Sequence, residues 1–333
     1  MNDCPLCQNN SNVSSIKKYS NYDILYCADC QLQFSNPMRD PGGTFYEQCT
    51  LYEGRSGSIQ LQIPSDDWRY QTCLKLCISK PNQSLLDIGC GDGGFLALAR
   101  SKGFDIFGID IDDRAIHLAK NIRNLENVVS GEWEKIYKIK GWRDFDVITM
   151  FDLLEHVSSP ISLVTTVFKL LRPDGIVCIA VPRLDRYPRV FDHEVDYPPH
   201  HFTLWTSDAL SVLLNKVGFK EIRIIEKPLM ANDILLHLIW RTERFIRKLR
   251  RGQTPHTEKP LNAESRSILV KNGVVAKFAK RSILFALTRI NWLFRTFHLG
   301  RGHTLFALTR IDWFFRTFHL GRGHTLLAIA KKP

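Results

Sequence analysis

Between residues 84 and 227 the chain alternates two kinds of apolar pattern. Short, nearly continuous apolar runs have strand length: LLDIG from Leu85, FDIFGIDID from Phe104, ENVVSGE from Glu126, FDVITMF from Phe145, IVCIAVP from Ile176 and EIRIIEKP from Glu221. Between them lie stretches with apolar residues at helical spacing: GGFLALARSKG closed by Gly103, DRAIHLAKNIRN, PISLVTTVFKLLRPDG with a Pro-Asp-Gly stop, and SDALSVLLNKVGF with Ser207 as N-cap and Gly218 as its end. DDWRYQTCLKLCISK reads as a further helix ahead of the first strand. Strands buried on both faces and alternating with helices of this length predict an α/β fold with a doubly wound, mostly parallel sheet. Ligands of such sheets bind beyond the carboxyl ends of the strands.

Composition adds little to this until charge is divided along the chain. The 333 residues are 44% hydrophobic and 24% charged, an ordinary globular balance that excludes a disordered or fibrous chain. The net charge is +11, but from Pro228 onward there are 20 Lys/Arg against 5 Asp/Glu. The basicity thus belongs to a C-terminal appendage, which points to an anionic neighbour. The chain opens polar and cysteine-bearing, without the apolar core of a signal peptide, and no apolar run reaches the ~18 residues of a membrane span. These features lead us to expect a cytoplasmic protein.

The candidate chemistry begins at LLDIGCGDGG. Gly89, Gly91 and Gly94 fit G-x-G-x-x-G after a strand, a turn used for dinucleotides and for S-adenosylmethionine alike. Asp87, two residues before the first glycine, favours the methyl donor, because a diphosphate is repelled by a carboxylate there. Asp110, at the end of the next strand, can take both ribose hydroxyls with either cofactor. After the third strand, Glu132 can accept from an adenine amino group and Trp133 can cover the ring.

With FDVITMFDLLEHV and LRPDG, these motifs resemble the class I S-adenosylmethionine-dependent methyltransferases over roughly residues 68–227. The resemblance implies a Rossmann-like, seven-stranded sheet whose last strand inserts antiparallel. It places Asp87, Gly89, Cys90 and Gly91 at the amino-acid end of the cofactor and Asp110 and Ile111 at its ribose. Glu132 and Trp133 fall at adenine, and Phe151 and Asp152 near the methyl group. A dinucleotide oxidoreductase is the competing enzyme class, but no hydride-transfer motif accompanies the glycines. A relative that keeps the fold, docks on membranes and has lost the chemistry is the non-enzymatic alternative.

Nine cysteines, an odd number, speak against a disulfide framework. Four of them form C-x2-C, nineteen residues, C-x2-C: Cys4, Cys7, Cys27 and Cys30. Two such knuckles supply four thiolates for a closed, structural Zn2+ site, so residues 1–40 read as a zinc-ribbon-like module. Cys49 could compete as a ligand but stands alone. A knuckle pair before this core resembles the sugar methyltransferases of bacterial antibiotic and surface-polysaccharide pathways. The resemblance implies a sugar, lipid-linked glycan or other small-molecule acceptor.

The stretch RLDRYPRVFDHEVDYPPHHFTLWT follows IVCIAVP, where a substrate loop belongs, and carries His193, Glu194, Tyr197, His200, His201, Phe202 and Trp205. Methyl transfer needs nucleophile, methyl and sulfonium in line and can use a base titrating near neutrality. The sugar C-methyltransferases have His-Glu-His-Phe at a comparable place. The match here is only His-His-Phe, making His201 the first candidate base and His200 the second. His156, in LLEHV, reads as a structural histidine on the cofactor side.

The expected organisation is then a module at 1–40, a core at 41–227, a basic helical insertion at 228–325 and the last strand at 324–333. In the insertion, ILLHLIWRTERFIRKLRR mixes apolar and basic residues as interfacial helices do. Residues 285–305 and 306–326 are a tandem repeat differing only at Asn291/Asp312 and Leu293/Phe314. The insertion reads either as peripheral docking on the inner, anionic membrane face or as a helical lid or oligomer contact. Nucleic acid is the poorer partner, since no recognition motif accompanies the charge.

Overall fold

The computed structural model describes residues 3–39, 63, 65–78, 81–139, 142–186, 196–228 and 322–333. Cys49, His193, Glu194, the basic stretch after Pro228 and most of the tandem repeat lie outside the described residues. Residues 1–227 and 323–333 make one compact unit, and 228–322 a second.

The first unit is built on two sheets. Strands β1 (Val13–Lys18), β2 (Asp23–Cys27) and β3 (Leu32–Asn36) form an antiparallel meander at the N-terminus. A helix α1 (Trp68–Cys77) then leads to the core, with Asp67 capping its first turn by accepting from Arg69 N. The core alternates β4 (Ser84–Ile88), α2 (Gly94–Ser101), β5 (Asp105–Asp110), α3 (Asp113–Asn121), β6 (Val128–Ser130) and β7 (Phe145–Phe151). It continues with α4 (Pro160–Leu170), β8 (Leu171–Pro182), β9 (Thr203–Leu204), α5 (Ser207–Val217), β10 (Lys220–Pro228) and β11 (Arg322–Lys331). The large sheet has seven strands in the order β10-β11-β8-β7-β4-β5-β6. The ladders joining β8, β7, β4, β5 and β6 are parallel, and β11 pairs antiparallel with β8. The α/β doubly wound sheet with an antiparallel last strand is therefore the fold expected. All seven residues of β7 are buried, as a strand covered on both faces requires.

Three local expectations are corrected, and one strand pairing is new. LRPDG is not the end of a helix: α4 stops at Leu170, and Leu171–Gly175 belongs to β8 with a break in register against β7. The cause is distant in sequence. Asp174, at φ +64°, donates its N–H to Lys332 O at 3.0 Å, and Lys332 N donates to Gly175 O at 2.8 Å. The N-cap of α5 is Thr206, not Ser207, because the Thr206 hydroxyl accepts from Ala209 N at 3.1 Å. The last strand starts at Arg322, so the end of the second repeat copy is sheet; Thr325 and Leu326 already pair with Pro182 and Val181. Finally, the N-terminal meander is extended by β9, which pairs with β3 and comes from the loop after β8.

That second sheet fixes the substrate-side loop. Ser35 N donates to Phe202 O and Phe202 N donates to Glu155 O, both at 2.8 Å. Thr206 Oγ1 donates to Gln31 O at 3.0 Å, Gln31 Nε2 donates to Asp208 at 2.6 Å, and Lys216 bonds Leu6 O. Trp205, fully buried, packs beneath this junction and donates its indole N–H to Thr203 Oγ1 at 2.9 Å.

Candidate active site

The carboxyl ends of β4, β5, β7 and β8 converge on the glycine turn. Gly89 N and Cys90 N both donate to Ile109 O, at 2.8 and 3.1 Å, which curls the turn over the end of β5. Gly89, Gly91 and Gly93 have φ of +79°, +53° and +75°, values that glycine tolerates and other residues resist. A Cβ added at Gly91 would meet nothing within 4 Å, so this glycine borders open space. At Gly93, by contrast, it would lie 2.4 Å from Leu125 Cδ1, so that glycine serves packing.

Asp110 ties the turn to β5. One carboxylate oxygen accepts from Gly91 N at 2.7 Å and the other from Asp112 N at 2.9 Å. Burial pushes its carboxyl above the usual range, and the Asp112 and Gly91 N–H groups oppose that. Ile111 follows it, half-buried. Asp87 is more deeply placed: it is 3% exposed and accepts from Thr149 Oγ1 of β7 at 2.7 Å. Burial, with Asp110 adding repulsion, raises its carboxyl to about 8. Cys90 is buried beneath the turn, against the position that a Cβ on Gly108 would take.

Beyond β6, Glu132 is exposed and pairs with Lys135 at 2.8 Å, while Trp133 lies half-buried against the core. Phe151 ends β7 in an aromatic trio with Tyr70 and Phe95, each ring 4.8 Å from its centroid. Asp152 takes a left-handed backbone, φ +54°, and donates its N–H to Ala180 O at 3.0 Å. Its carboxylate is held by Arg69 at 2.6 Å, and Arg69 also grips Asp67. Arg69 and Tyr70 reach Asp152 and Phe151, which the sequence does not announce: the signal is an arginine in the first turn of a helix behind an Asp cap.

On the substrate side, His156, His200 and His201 come together. His156 Nδ1 donates to His200 O at 2.7 Å, and the rings of His156 and His201 stand nearly perpendicular with centroids 4.8 Å apart. Burial, reinforced by His156, His200 and Arg186, lowers His201 to about 2. His200 is half-buried and lowered by burial alone.

At the N-terminus, the sulfurs of Cys4, Cys7, Cys27 and Cys30 all lie within 4.8 Å of one another, and every described cysteine is a free thiol. The Cys7–Cys27 separation is 3.8 Å, matching the edge of about 3.8 Å that four sulfurs bonded at about 2.3 Å to one ion require. Leu6 N donates to Cys4 Sγ at 3.4 Å, as a thiolate ligand invites. The donor set fits a structural zinc ion.

Residues 69–224 match the family described as a methyltransferase domain. Curated relatives include the ubiquinone biosynthesis O-methyltransferase of Neisseria meningitidis serogroup A, 33% identical over 116 residues, covering 33% of this chain and 47% of that protein. The enzyme of the same name from Pseudomonas paraeruginosa is 23% identical over 185 residues, 49% of this chain and 78% of its own. The chain thus spans as little as 47% of the curated relatives' length. Among solved structures, Haemonchus contortus phosphoethanolamine N-methyltransferase 2 in complex with S-adenosyl-L-methionine shares the fold. It has a TM-score of 0.53 and 14% identity, with 95% of this chain and 70% of that one covered. Its complex with phosphomonomethylethanolamine and S-adenosylhomocysteine gives a TM-score of 0.51 at 15% identity, over 87% and 60%. The sheet order is that of the class I methyltransferase fold, and residues 69–224 are the part of this chain that is similar to a methyltransferase domain.

The state of Asp87 has a measurable consequence. Its folded pKa of about 8 exceeds the ordinary aspartate value of about 3.9, so the native state holds an extra proton between the two. The stability tied to that proton is full below pH ~4 and is lost as pH rises through ~8. Thermal unfolding of the cofactor-free protein at pH 5 and pH 8 should show Asp87→Asn losing less melting temperature than wild type on the way up. Equal losses would mean that the carboxyl is already ionised at pH 5.

Proposed function

We propose that the protein transfers a methyl group from S-adenosylmethionine to a hydroxyl-bearing small molecule, of the sugar or lipid-linked glycan type. The observation that carries the reading is the turn itself. Gly91 borders open space at the strand ends while its N–H is pinned by Asp110, and all of this lies within the matched domain.

In this reading the methionine end of the cofactor lies along Gly89 and Gly91. Asp110 and Ile111 receive the ribose, and Glu132 and Trp133 meet adenine. Asp87 and Cys90 act from beneath, bracing the turn. Phe151 and Asp152 border the methyl group, with Arg69 holding Asp152 in place. The cofactor, when bound, supplies an electrophilic methyl on a sulfonium. The chain's part is to align the acceptor oxygen and receive its proton. Of the two candidate bases, an imidazole lowered to about 2, like His201, is too weak a proton acceptor near neutrality. The assignment of His201 as first base therefore gives way to His200 in this proposal.

The four cysteines hold a structural Zn2+ in this reading. Its role is to set the meander whose β3 edge receives β9. The appendage, with 20 Lys/Arg against 5 Asp/Glu from Pro228 onward, serves to dock the protein on an anionic membrane face, where a lipid-linked acceptor would be met.

Calorimetric titration should show S-adenosylhomocysteine binding to wild type and binding at least ~10-fold weaker to Asp110→Ala, with no heat from NAD. NAD binding in its place would overturn the methyl-donor reading. Metal analysis of the purified chain should find one zinc per protein, lost together with cooperative unfolding in Cys27→Ser; a zinc-free wild type that unfolds cooperatively would refute the structural ion. Sedimentation with phosphatidylglycerol vesicles should deplete wild type at low salt and not at high salt. A variant with Arg244, Arg247, Lys248 and Arg250 changed to Gln should stay in solution, and equal depletion of the two would dismiss the docking role.

A further inference from the structure

Among the described residues, a glutamate and two histidines gather outside the cofactor site and the cysteine module. Glu155 and His156 lie in the short turn Leu154–His156 just after β7, and His201 comes from the loop that enters β9. One ligand atom from each lies within 4.8 Å of the other two. We propose that Glu155, His156 and His201 form a second metal site, taking a divalent first-row transition ion through one carboxylate and two imidazoles.

The strongest indication is Glu155. It is 1% exposed, and neither carboxylate oxygen has a hydrogen-bond partner. A buried carboxyl is normally paired, hydrogen-bonded or bound to a metal. Its backbone is committed, since Glu155 O accepts from Phe202 N at 2.8 Å, so the side chain is aimed by the fold and cannot swing out to water.

The imidazoles are prepared in the manner of metal ligands. His156 Nδ1–H donates to His200 O at 2.7 Å, which leaves the lone pair on Nε2, and Nε2 stands 4.0 Å from Glu155 Oε1. A backbone carbonyl on the far nitrogen fixes tautomer and ring orientation in this way at many metal centres. His201 Nδ1, also buried without a hydrogen-bond partner, lies 3.8 Å from Asp196 Oδ1, so a carboxylate stands behind this ring too. Asp196 is itself held by Arg186.

The separations also suit an ion. Ligand atoms bonded at about 2.1 Å to one metal stand about 3–3.5 Å apart, so side-chain rotations of roughly 1 Å would close the present set. Three protein ligands leave coordination positions open. The site lies at the carboxyl ends of the strands, on the histidine side of the glycine turn. If methyl transfer is the activity, on which this second step rests, an acceptor hydroxyl on the open position loses its proton more readily. The proton passes to His200, the oxygen forms the new bond to the methyl carbon, and the sulfonium sulfur keeps the electron pair of the broken C–S bond. Adjacent hydroxyls on the acceptor could both reach the ion, which favours a vicinal diol.

The test uses Mn2+, which prefers oxygen and nitrogen ligands and so avoids the four-cysteine site. Full-length protein with its cysteine site loaded with zinc is dialysed against metal-free buffer and titrated with Mn2+, and the free-ion signal is followed by electron paramagnetic resonance. Wild type should take up one equivalent. Glu155→Gln and His201→Asn should each bind more than tenfold more weakly. S-adenosylhomocysteine affinity serves as the independent check that each variant is folded. Wild type that leaves Mn2+ free, or a folded Glu155→Gln that binds it as wild type does, overturns the site and leaves Glu155 as a buried neutral acid. Mn2+ binding without S-adenosylhomocysteine binding in wild type would uphold the site and sink the methyltransferase reading.

Discussion

The antiparallel pairing of β11 with β8 is the constraint on which the architecture rests. Seven consecutive residues, Thr325 to Lys331, run beside Pro182 to Ile176, and β10 is joined to the sheet only through β11. Leu326 to Ala330 are all buried. The large sheet is therefore completed by the last ten or so residues of the chain, and the long basic segment before them is an insertion between two neighbouring strands. Because the backbone of Lys332 exchanges hydrogen bonds with Asp174 and Gly175, the same pairing shapes the entrance to β8. A central strand at the heart of the sheet takes its starting geometry from the opposite end of the sequence.

From that frame the site follows with few further requirements. Parallel strands of similar length end together, and their carboxyl ends bring Asp87, Asp110, Phe151 and Asp152 into one region. The glycine turn bends because two successive N–H groups seek one carbonyl, that of Ile109. Asp110 then secures it through Gly91 N. Each contact is small, yet together they hold a positive-φ turn that would otherwise sample many conformations.

The sheet was legible because its strands are apolar runs, as burial on both faces demands, and the helices between them carry their caps and stops nearby. The glycine turn, Asp110 and the cysteine knuckles were legible because their chemistry is local: the spacing of the residues is also the geometry. What escaped detection depends on partners far away. The extension of β8 back to Leu171 is stabilised by a residue some 160 positions later. The two-residue strand β9 exists only because β3 offers it an edge. Arg69 belongs to a helix whose spacing shows where it packs and not which carboxylate it reaches. The depth of Asp87 and the isolation of Glu155 depend on what covers them, which no spacing reveals.

The shared four-stranded sheet makes the cysteine knuckles and the histidine-bearing loop a single mechanical part. From β3, one hydrogen bond leads to Phe202 and a second from Phe202 to Glu155, so the cysteine end of the chain is two bonds from the histidine cluster. Such a chain cannot be remodelled one module at a time. A recombinant that exchanged residues 1–40 for those of a relative would inherit an edge cut for a different loop, and a loop exchange alone would find the wrong edge. Change in the histidine-bearing loop of this molecule is thus tied to co-inheritance of two stretches some 160 residues apart, with the glycine-turn half free to stay as it is.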